Sequence, residues 1–387
     1  MGNRPLEGIR VVEMATFIAA PCTARFLADL GAEVIKVEPP MGDPLRYTAV
    51  NEGRPLDQKE NTSYDLENAG KTCISLNTKS EEGREALEKL LATADVFICN
   101  WRQSPLKRAG LDWETLHEKY PKLVYGYVSG YGEKGPDLPG FDFTAFYARG
   151  GILGPLRDKN SLPMLTVQGF GDHQVAMNLA AGVLAALFKA KMTGEGDHVV
   201  VSLFHSAIWD ISLMLQASQY GADSTQYPME RWKLGNPLVL CYETADGQWL
   251  QIAMPQYDRH YPILMNAMGY PELADDTRYY PQKNLIPNRE EFSAWITAEF
   301  KKKTCDEWCK LLDANDLPYA IAQEWDSLLE DKQAWASDCF YEMSYSNGNK
   351  RTLVRPPVLF DQMGLPPYER GPYLGEQTKD ILGELGY

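Results

Sequence analysis

Short apolar runs alternate with longer amphipathic segments over the first half of the chain. The runs have the length of buried strands, and the segments between them carry apolar residues at helical spacing. We predict strands at 9–14, 33–38, 73–76, 96–99, 123–128 and 198–203, and helices at 21–31, 81–93, 113–120 and 175–191. Strands that alternate with helices are typical of a parallel sheet covered by helices, so the pattern predicts a doubly wound α/β fold.

The pattern changes after residue 203. The segment 204–219 predicts a long connecting helix with apolar positions on more than one face. Two short strands at 242–244 and 249–253 are joined through Asp246-Gly247, which is a hairpin signal. Helical segments follow at 259–268, 290–300 and 304–313, so the middle of the chain predicts a smaller α+β domain. Further helices are predicted after that domain, at 325–335 and 376–385.

One carboxylate, that of Asp172, lies at the start of the longest apolar helical segment. An apolar run ending at Val167 predicts a strand, and Gly169 to Gly171 predict a turn before the helix. A helix N-terminus favours a carboxylate or an oxyanion, and Gly169 and Gly171 have no Cβ to obstruct a substrate. The residues alone leave two interpretations open, because aspartate is both a common N-cap and a possible nucleophile.

Composition narrows the classes of function. The 387 residues are 44% hydrophobic, and the formal net charge of −15 argues against a binder of nucleic acids or acidic membranes. We find no signal-peptide core and no apolar run long enough to cross a membrane, so we expect a cytoplasmic protein. Seven scattered cysteines predict buried thiols and no metal site.

Two loops at the expected carboxyl edge of the sheet are candidate ligand sites. The first, 15–20, has no G-x-G-x-x-G, which weakens an NAD-linked oxidoreductase, although Glu38 stands where a ribose-binding acid would. The second, 130–140, is rich in glycine and proline. A plain surface connection is an equally good interpretation of that loop alone.

Several motifs in order resemble those of class III CoA-transferases, the formyl-CoA transferase-like or CaiB/BaiF family. They are PLEGIRVVEMATFIAAPCTARFLADLGAEVIKVEPP, NWRQSPLKRAGLD, GFGDHQVAMNLAAG, KAKMTGEGDHVVVSL and the terminal PYLGEQ. The resemblance covers essentially the whole chain. It implies that Asp172 is the catalytic aspartate.

For the fold, the resemblance implies a Rossmann-like large domain built from both chain ends, a small domain inserted between them, and a homodimer of interlocked rings. We therefore expect the N-terminal part of the large domain at 1–205 and a linker helix at 206–225. The small α+β domain is expected at 226–325, and the return linker with the C-terminal part of the large domain at 326–387.

The resemblance also implies which residues contact coenzyme A. Carried over position by position, they are Ile18, Ala19, Pro39, Ala69, Gly70, Lys71, Thr72, Asn100, Trp101, Arg102, Arg108, Pro139, Gly140, Phe141 and Asp142. Lys71, Arg102 and Arg108 would supply the local positive charge that an acidic protein needs to bind a phosphorylated ligand.

The implied reaction moves CoA from an acyl-CoA to a carboxylic acid through an aspartyl anhydride and an aspartyl-CoA thioester. Coenzyme A thioester is a substrate, and no permanently bound cofactor is expected. RYTAVNEGRPL, SYDLENAGK and PGFDFTAFYARGG resemble members that act on 2-hydroxyacids, and the glycine-run loop of oxalate-type members is missing at 229–236. We expect an enoyl-CoA or related donor, and an aryl-lactate before a 2-hydroxyisocaproate-like acceptor.

Acyl-CoA racemases of the same fold are the alternative within the resemblance. They use a histidine in a Gly-His-Asp run, which here is Gly140-Phe141-Asp142. One half of the acid/base pair is therefore missing. His173 is a poor substitute, because adjacent residues at a helix start point in different directions.

Overall fold

The computed structural model describes residues 4–221, 227–366 and 369–387. The chain forms two compact units. The larger unit combines Met1–Leu153, Leu165–Ala217 and Lys332–Tyr387, and the smaller combines Gly154–Met164 and Ser218–Asp331. The larger unit is thus built from both ends of the chain, and most of the smaller unit is one inserted segment.

A six-stranded parallel sheet is the centre of the larger unit. Its strands are β1 (Arg10–Met14), β2 (Glu33–Glu38), β3 (Thr72–Ser75), β4 (Val96–Cys99), β5 (Val124–Ser129) and β6 (His198–Ser202), in the order β3-β2-β1-β4-β5-β6. Every neighbouring pair is parallel. The order reverses between β1 and β4, where doubly wound sheets bind ligands beyond the carboxyl ends of their strands. The predicted parallel α/β sheet is confirmed.

Helices bury both faces of this sheet. The helices of this part of the chain are α1 (Ala19–Asp29), α2 (Thr62–Asn68), α3 (Glu81–Leu91), α4 (Gln103–Ala109), α5 (Trp113–Lys119), α6 (Phe170–Thr193), α7 (Leu203–Asp210) and α8 (Ser212–Ala217). Residues of α1, α6 and α7 form the core on one face, and residues of α3, α4 and α5 form the core on the other. Successive residues of β1 enter different cores, Val11 with Leu179 of α6 and Val12 with Leu90 of α3. Because both faces are covered, most strand residues are apolar, and the charged Glu13 of β1 and Lys36 of β2 are buried as an ion pair.

The segment around α6 differs from its prediction in three ways. The helix begins at Phe170 instead of 175, and the apolar run that ends at Val167 forms no strand. Leu162 and Leu165 in that segment are 87% and 91% exposed, so its apolar pattern does not reflect a core. At 24 residues, α6 is also apolar and long enough to cross a membrane by composition alone, contrary to our expectation. This criterion is weak, because buried core helices satisfy it too, and Leu179 and Val183 of α6 lie in the core.

The predicted connecting helix is shorter than expected and broken. It consists of α7 and α8, which are separated at Ile211, where the backbone leaves helical geometry (φ −95°, ψ 8°). Residues 222–226 of the predicted linker lie outside the described residues.

The smaller unit contains an antiparallel sheet of β7 (Cys241–Glu243), β8 (Trp249–Ile252) and β9 (Tyr319–Ile321). The β7–β8 hairpin confirms the Asp246-Gly247 signal, and Gly247 has the left-handed φ of +76° that such a turn requires. The accompanying helices are α9 (Tyr257–Met268), α10 (Gln282–Leu285), α11 (Arg289–Phe300), α12 (Cys305–Ala314) and α13 (Trp325–Leu329).

The C-terminal part of the larger unit contains a hairpin that we did not predict. This part of the unit consists of α14 (Lys332–Ala336), β10 (Phe340–Ser344), β11 (Lys350–Val354) and α15 (Thr378–Glu384), and the hairpin is β10–β11. Strands β10 and β11 pair antiparallel around Asn347-Gly348, a dipeptide that is itself a hairpin signal. The single helix predicted at 325–335 is two short helices, α13 and α14.

Candidate active site

Asp172 lies in the first turn of α6 and does not cap it. The N-cap is Gly169, which has no side chain to make a capping hydrogen bond. The φ of Gly169 is +82°, a left-handed conformation that glycine adopts without strain, so the chain turns into α6 at this residue. The structure therefore excludes the N-cap interpretation of Asp172 and leaves its carboxylate available for chemistry.

A second carboxylate, that of Asp142, occupies the N-terminus of α6. Asp142 begins a π-helical turn (Asp142–Ala148) and is 4% exposed. The N–H of Gly171 donates to Asp142 Oδ1 at 3.2 Å. A Cβ on Gly171 would lie 2.5 Å from this oxygen and 2.3 Å from Phe146 Cγ.

The contacts of Gly171, Gly169 and Asp142 change three expectations from the sequence. Gly171 lacks a Cβ to admit Asp142 and Phe146, not a substrate, and its N–H is already used, so it is not a free oxyanion donor. The missing Cβ of Gly169 faces Ile18, whose Cδ1 would be 3.2 Å away. Asp142, predicted to contact coenzyme A, instead directs its carboxylate to the start of α6.

The environment raises the pKa of both carboxylates. Burial raises the pKa of Asp172 to about 7, and the negative charge of Asp142 adds to this effect. Burial also raises the pKa of Asp142 to about 6, although the N–H groups of Gly171 and Gly169 oppose the change. Asp172 is therefore a basic carboxylate near neutral pH, as catalytic groups often are.

We expect Asp142→Asn to move the acid limb of the activity profile to lower pH. The amide removes a negative charge beside Asp172, which favours the ionised form and lowers its pKa. Because the ionised form is the nucleophile, kcat/KM measured between about pH 5 and 9 should reach its plateau at a lower pH than in the wild type. Asp197→Asn, which changes a carboxylate bonded to Lys189 at 2.9 Å, is the matched control. An unshifted acid limb in Asp142→Asn would show that the two carboxylates are not coupled.

His173 and Glu67 form a hydrogen-bonded pair next to Asp172. His173 Nε2 lies 2.8 Å from Glu67 Oε1. The Glu67 side chain is 2% exposed, whereas that of His173 is 44% exposed. Burial lowers the pKa of His173, but the hydrogen bond and charge of Glu67 outweigh burial and raise it overall. Donor atoms of Cys22, Glu67 and His173 lie within 4.8 Å of one another, a spacing that would suit a metal ion. The absence of a metal stays a prediction.

A cavity of about 230 Å³, the α6 cavity, adjoins this pair. It is lined by Ile18, Leu45, Glu52, Ser63, Leu66, Glu67, Gln168 and His173. Of the predicted coenzyme A contacts, Ile18 is the one found here. Its polar lining residues Gln168 and His173 stand before and after Asp172 in the sequence, so the cavity lies at the start of α6, although Asp172 itself is not among the lining residues.

A second cavity of about 170 Å³, the β5 cavity, lies where β4 and β5 end. Its lining includes the predicted contacts Asn100, Arg102 and Gly140, together with most of the 130–140 loop. Lys107 also lines it and was missed, while Arg108 is not among its lining residues. Lys107 and Arg108 are adjacent cations on one short helix, and their sequence does not show which of them faces the cavity.

The Asn100 side chain joins the two loops at the reversal of the strand order. It donates to the Thr16 carbonyl at 2.7 Å and accepts from the Thr16 N–H at 3.1 Å. Its amide is thereby committed to holding the loop after β1 in place. We infer a positioning role for this side chain beside the cavity.

Lys71 does not supply charge for a phosphate, so that prediction is wrong. Its ammonium donates to Glu13 Oε2 at 2.6 Å, to the Pro21 carbonyl at 2.8 Å and to Asn68 Oδ1 at 2.9 Å. These bonds use all three donors of the group, and the side chain is fully buried. Burial lowers the pKa of Lys71 to about 8 despite the opposing charge of Glu13.

The other predicted coenzyme A contacts occupy turns, element ends and exposed positions. They are Ala19 at the start of α1, Pro39 after β2, Ala69 and Gly70 between α2 and β3, Thr72 at the start of β3, Trp101 before α4, and Pro139 and Phe141 in the loop after β5. Phe141 is 55% exposed and contacts Phe17 edge-on at 5.8 Å between ring centroids. Contact of these residues with coenzyme A stays a prediction.

Comparison with characterised proteins gives relatives along the whole chain. The chain is 52% identical over 384 residues to cinnamoyl-CoA:phenyllactate CoA-transferase of Clostridium sporogenes, covering 98% of this chain and 93% of that protein. It is 41% identical over 384 residues to (R)-2-hydroxy-4-methylpentanoate CoA-transferase of Clostridioides difficile, covering 99% and 96%.

Solved structures and a family model agree with these relatives. The Rv3272 protein of Mycobacterium tuberculosis superposes with a TM-score of 0.84 at 26% identity, covering 98% of this chain and 99% of that one. A CAIB/BAIF family protein from Brucella suis gives 0.81 at 27% identity, covering 99% and 100%. The model of CoA-transferase family III matches residues 6–378. The chain therefore belongs to CoA-transferase family III and is a CoA-transferase.

Proposed function

We propose that the protein transfers CoA from an acyl-CoA, an enoyl-CoA such as cinnamoyl-CoA or a related thioester, to a 2-hydroxycarboxylic acid. An aryl-lactate is the favoured acceptor, because the relative at 52% identity is named for phenyllactate, and the one at 41% for an aliphatic 2-hydroxyacid. The observation that carries the proposal is the Asp172 carboxylate, which lies in the first turn of α6 but does not cap the helix. Burial raises the pKa of this carboxylate to about 7.

Asp172 acts as the nucleophile in this proposal. Its carboxylate attacks the thioester carbonyl of the donor, which forms a mixed anhydride and releases CoA thiolate. The thiolate attacks the aspartyl carbonyl, so that an aspartyl-CoA thioester forms and the donor acid leaves. The acceptor carboxylate then attacks this thioester, and the released thiolate opens the second anhydride to give the new acyl-CoA and restore Asp172. No net oxidation, reduction or hydrolysis occurs.

The two cavities divide the substrates between them. Arg102 and Lys107 at the β5 cavity are cations suited to the phosphates of coenzyme A. The α6 cavity combines the apolar residues Ile18, Leu45 and Leu66 with polar groups near Asp172, which suits a small acid with an apolar side chain. A racemase is not favoured, because Phe141 stands where racemases of this fold have their catalytic histidine. An NAD-linked oxidoreductase is not favoured either, because the chain belongs to CoA-transferase family III.

Exposed apolar side chains on α6 to α8 support a homodimer. Phe188 and Met192 of α6 are each 73% exposed, Trp209 of α7 is 70% exposed, and Leu213 of α8 is 80% exposed. Residues of this size seldom face water together in a monomer. We expect light scattering to give twice the 43.6 kDa chain mass at all concentrations where the enzyme is active. An active monomer would contradict this assembly.

An acceptor panel tests the proposed function. The enzyme is incubated with cinnamoyl-CoA and phenyllactate, indolelactate, 2-hydroxyisocaproate or lactate, and the acyl-CoA products are separated by chromatography. We expect a hydroxyacyl-CoA to form only when an acceptor acid is present, and to form faster with the aryl-lactates. Failure to form any hydroxyacyl-CoA from this panel would refute the proposal.

A further inference from the structure

Phe17, in the loop that follows β1, has a backbone conformation that bulky residues avoid. Its φ is +64°, in the left-handed region. Among the described residues, the other side chains with a positive φ belong to Asn160, Asp316 and Asp338, and asparagine and aspartate tolerate this conformation best. A strained residue of this kind persists only where its surroundings fix it, and such residues are concentrated at functional sites.

Two side chains from neighbouring strands fix the residues before Phe17. Lys36 of β2 donates to the Ala15 carbonyl at 2.9 Å. Asn100, which follows β4, bonds both the N–H and the carbonyl of Thr16. The backbone is therefore held on the N-terminal side of the strained residue.

Asp43 holds Phe17 itself. Asp43 is fully buried, and its Oδ1 accepts the Phe17 N–H at 3.1 Å and the Leu45 N–H at 2.9 Å. Its Oδ2 lies 3.0 Å from the Lys36 ammonium. Because Lys36 also holds Ala15, one buried ion pair connects the two sides of the strained turn.

The loop contacts both segments that carry the carboxylates of the candidate active site. The Phe17 ring lies edge-on to Phe141 at 5.8 Å between centroids, and Phe141 directly precedes Asp142. Ile18, the next residue of the loop, faces the N-cap of α6 and lines the α6 cavity. A shift of the loop would therefore disturb the contacts around the start of α6, where Asp172 lies.

We propose that Asp43 is a positioning residue for CoA transfer. Through its bond to the Phe17 N–H, and together with the bonds that Lys36 and Asn100 make to the same loop, it keeps the loop in place against the start of α6 before a substrate binds. Displacing the surroundings of a reacting centre by about 1 Å can cost about 100-fold in rate. This inference rests on the proposed CoA transfer and adds a buried residue that acts through the loop.

The test measures transfer from cinnamoyl-CoA to phenyllactate in the wild type, Asp43→Ala and Asp43→Asn, with circular dichroism to check folding. Alanine removes the acceptor of the Phe17 N–H. Asparagine keeps an oxygen for this N–H but removes the charge that pairs with Lys36. We expect kcat to fall at least about 10-fold in Asp43→Ala and less than about 3-fold in Asp43→Asn, with KM for cinnamoyl-CoA within about 3-fold of the wild type in both.

Asp112→Ala is the matched control, because Asp43 also caps a 3₁₀ helix, Pro44–Glu52, and its alanine variant loses that cap. Asp112 is 8% exposed and caps α5, where its Oδ1 accepts the Thr115 N–H at 3.3 Å. We expect kcat of Asp112→Ala within about 2-fold of the wild type. An equal loss of kcat in Asp112→Ala or in Asp43→Asn would assign the effect to the cap or to the charge and overturn the proposal.

A double-mutant cycle shows whether the effect passes through the loop. Asn100→Ala removes the bonds to Thr16, so it should lower kcat at least about 10-fold by itself. Once one anchor is lost, losing the second should add little, so we expect a fall of no more than about 30-fold in the double variant instead of about 100-fold. Effects that multiply fully would overturn the proposal. If Asp43→Ala does not fold, a folded Asn100→Ala with wild-type kcat would also overturn it.

Failure of this inference can be told apart from failure of the proposed function. If the wild type transfers CoA to none of the acceptors in the panel, the proposed function fails and this inference fails with it. If the wild type transfers CoA and folded Asp43→Ala does so with wild-type kcat, the proposed function stands and the role of Asp43 is wrong.

Discussion

Asp172→Asn and Asp172→Ala are expected to abolish CoA transfer, with kcat reduced by at least about 10⁴-fold. An amide or a methyl group cannot form the anhydride and the thioester that the reaction requires. Because Asp172 does not cap α6, neither change removes a capping bond, and both variants should fold. The measurement is single-turnover transfer from cinnamoyl-CoA to phenyllactate, with circular dichroism to check folding. A folded Asn variant with wild-type turnover would remove Asp172 from the mechanism.

Asp172→Asn should also stabilise the protein at alkaline pH. Burial raises the pKa of Asp172 in the folded state to about 7, so the folded protein holds this proton more tightly than the unfolded chain. The free energy of unfolding therefore falls as pH rises from about 4 to 7, because the buried group must ionise. Asp172→Asn removes this loss, and we expect its Tm to exceed that of the wild type by about 2 °C or more at pH 8 but by less at pH 5. Equal shifts at both pH values would argue against the raised pKa.

Among the variants considered, Glu13→Ala is expected to lower the free energy of unfolding most. Glu13 is fully buried and accepts from Lys36 and Lys71, each at 2.6 Å. Its removal leaves two buried ammonium groups short of a counter-charge. Within the part of the chain that the structure describes, Lys36 has a second carboxylate, Asp43, at 3.0 Å, and Lys71 pairs with no other. Breaking a buried pair in this way destabilises proteins by about 3–5 kcal/mol, which urea denaturation can measure.

Glu342→Ala is the control for this prediction. Glu342 also bonds a lysine, Lys350, at 2.6 Å, but the two side chains are 55% and 64% exposed. Exposed pairs contribute about 1 kcal/mol or less, so this variant should unfold at nearly the wild-type urea concentration. A Glu13→Ala variant as stable as Glu342→Ala would mean that Lys36 and Lys71 find other partners or lose their protons.

The central sheet could be predicted because most of its strands are buried on both faces and are therefore largely apolar in sequence. The helices between them have clear end signals such as Ser80, whose side chain accepts from the Gly83 N–H. The apolar run that ends at Val167 has a similar pattern but joins no sheet. Composition alone does not distinguish these two cases, so the strand predicted there is wrong.

The candidate site was predictable only where local sequence determines the geometry. The position of Asp172 at the start of α6 follows from the glycines before it. The approach of Asp142 to that helix joins residues that are 29 positions apart, and the use of Lys71 by Glu13 joins residues 58 apart. The Glu67–His173 pair spans 106 positions. Such contacts depend on the folded arrangement of β1, α2 and α6, which no local pattern contains.

Trapping the covalent intermediate on Asp172 tests the central claim most directly. The wild-type enzyme is incubated with cinnamoyl-CoA in the absence of an acceptor, treated with borohydride or hydroxylamine, and digested for mass spectrometry. We expect modification of the peptide that contains Gly171-Asp172-His173, at Asp172, and no modification in Asp172→Asn. An unmodified Asp172 peptide from enzyme that is fully active, or a modification at another carboxylate such as Asp142, would contradict the assignment of Asp172 as the nucleophile.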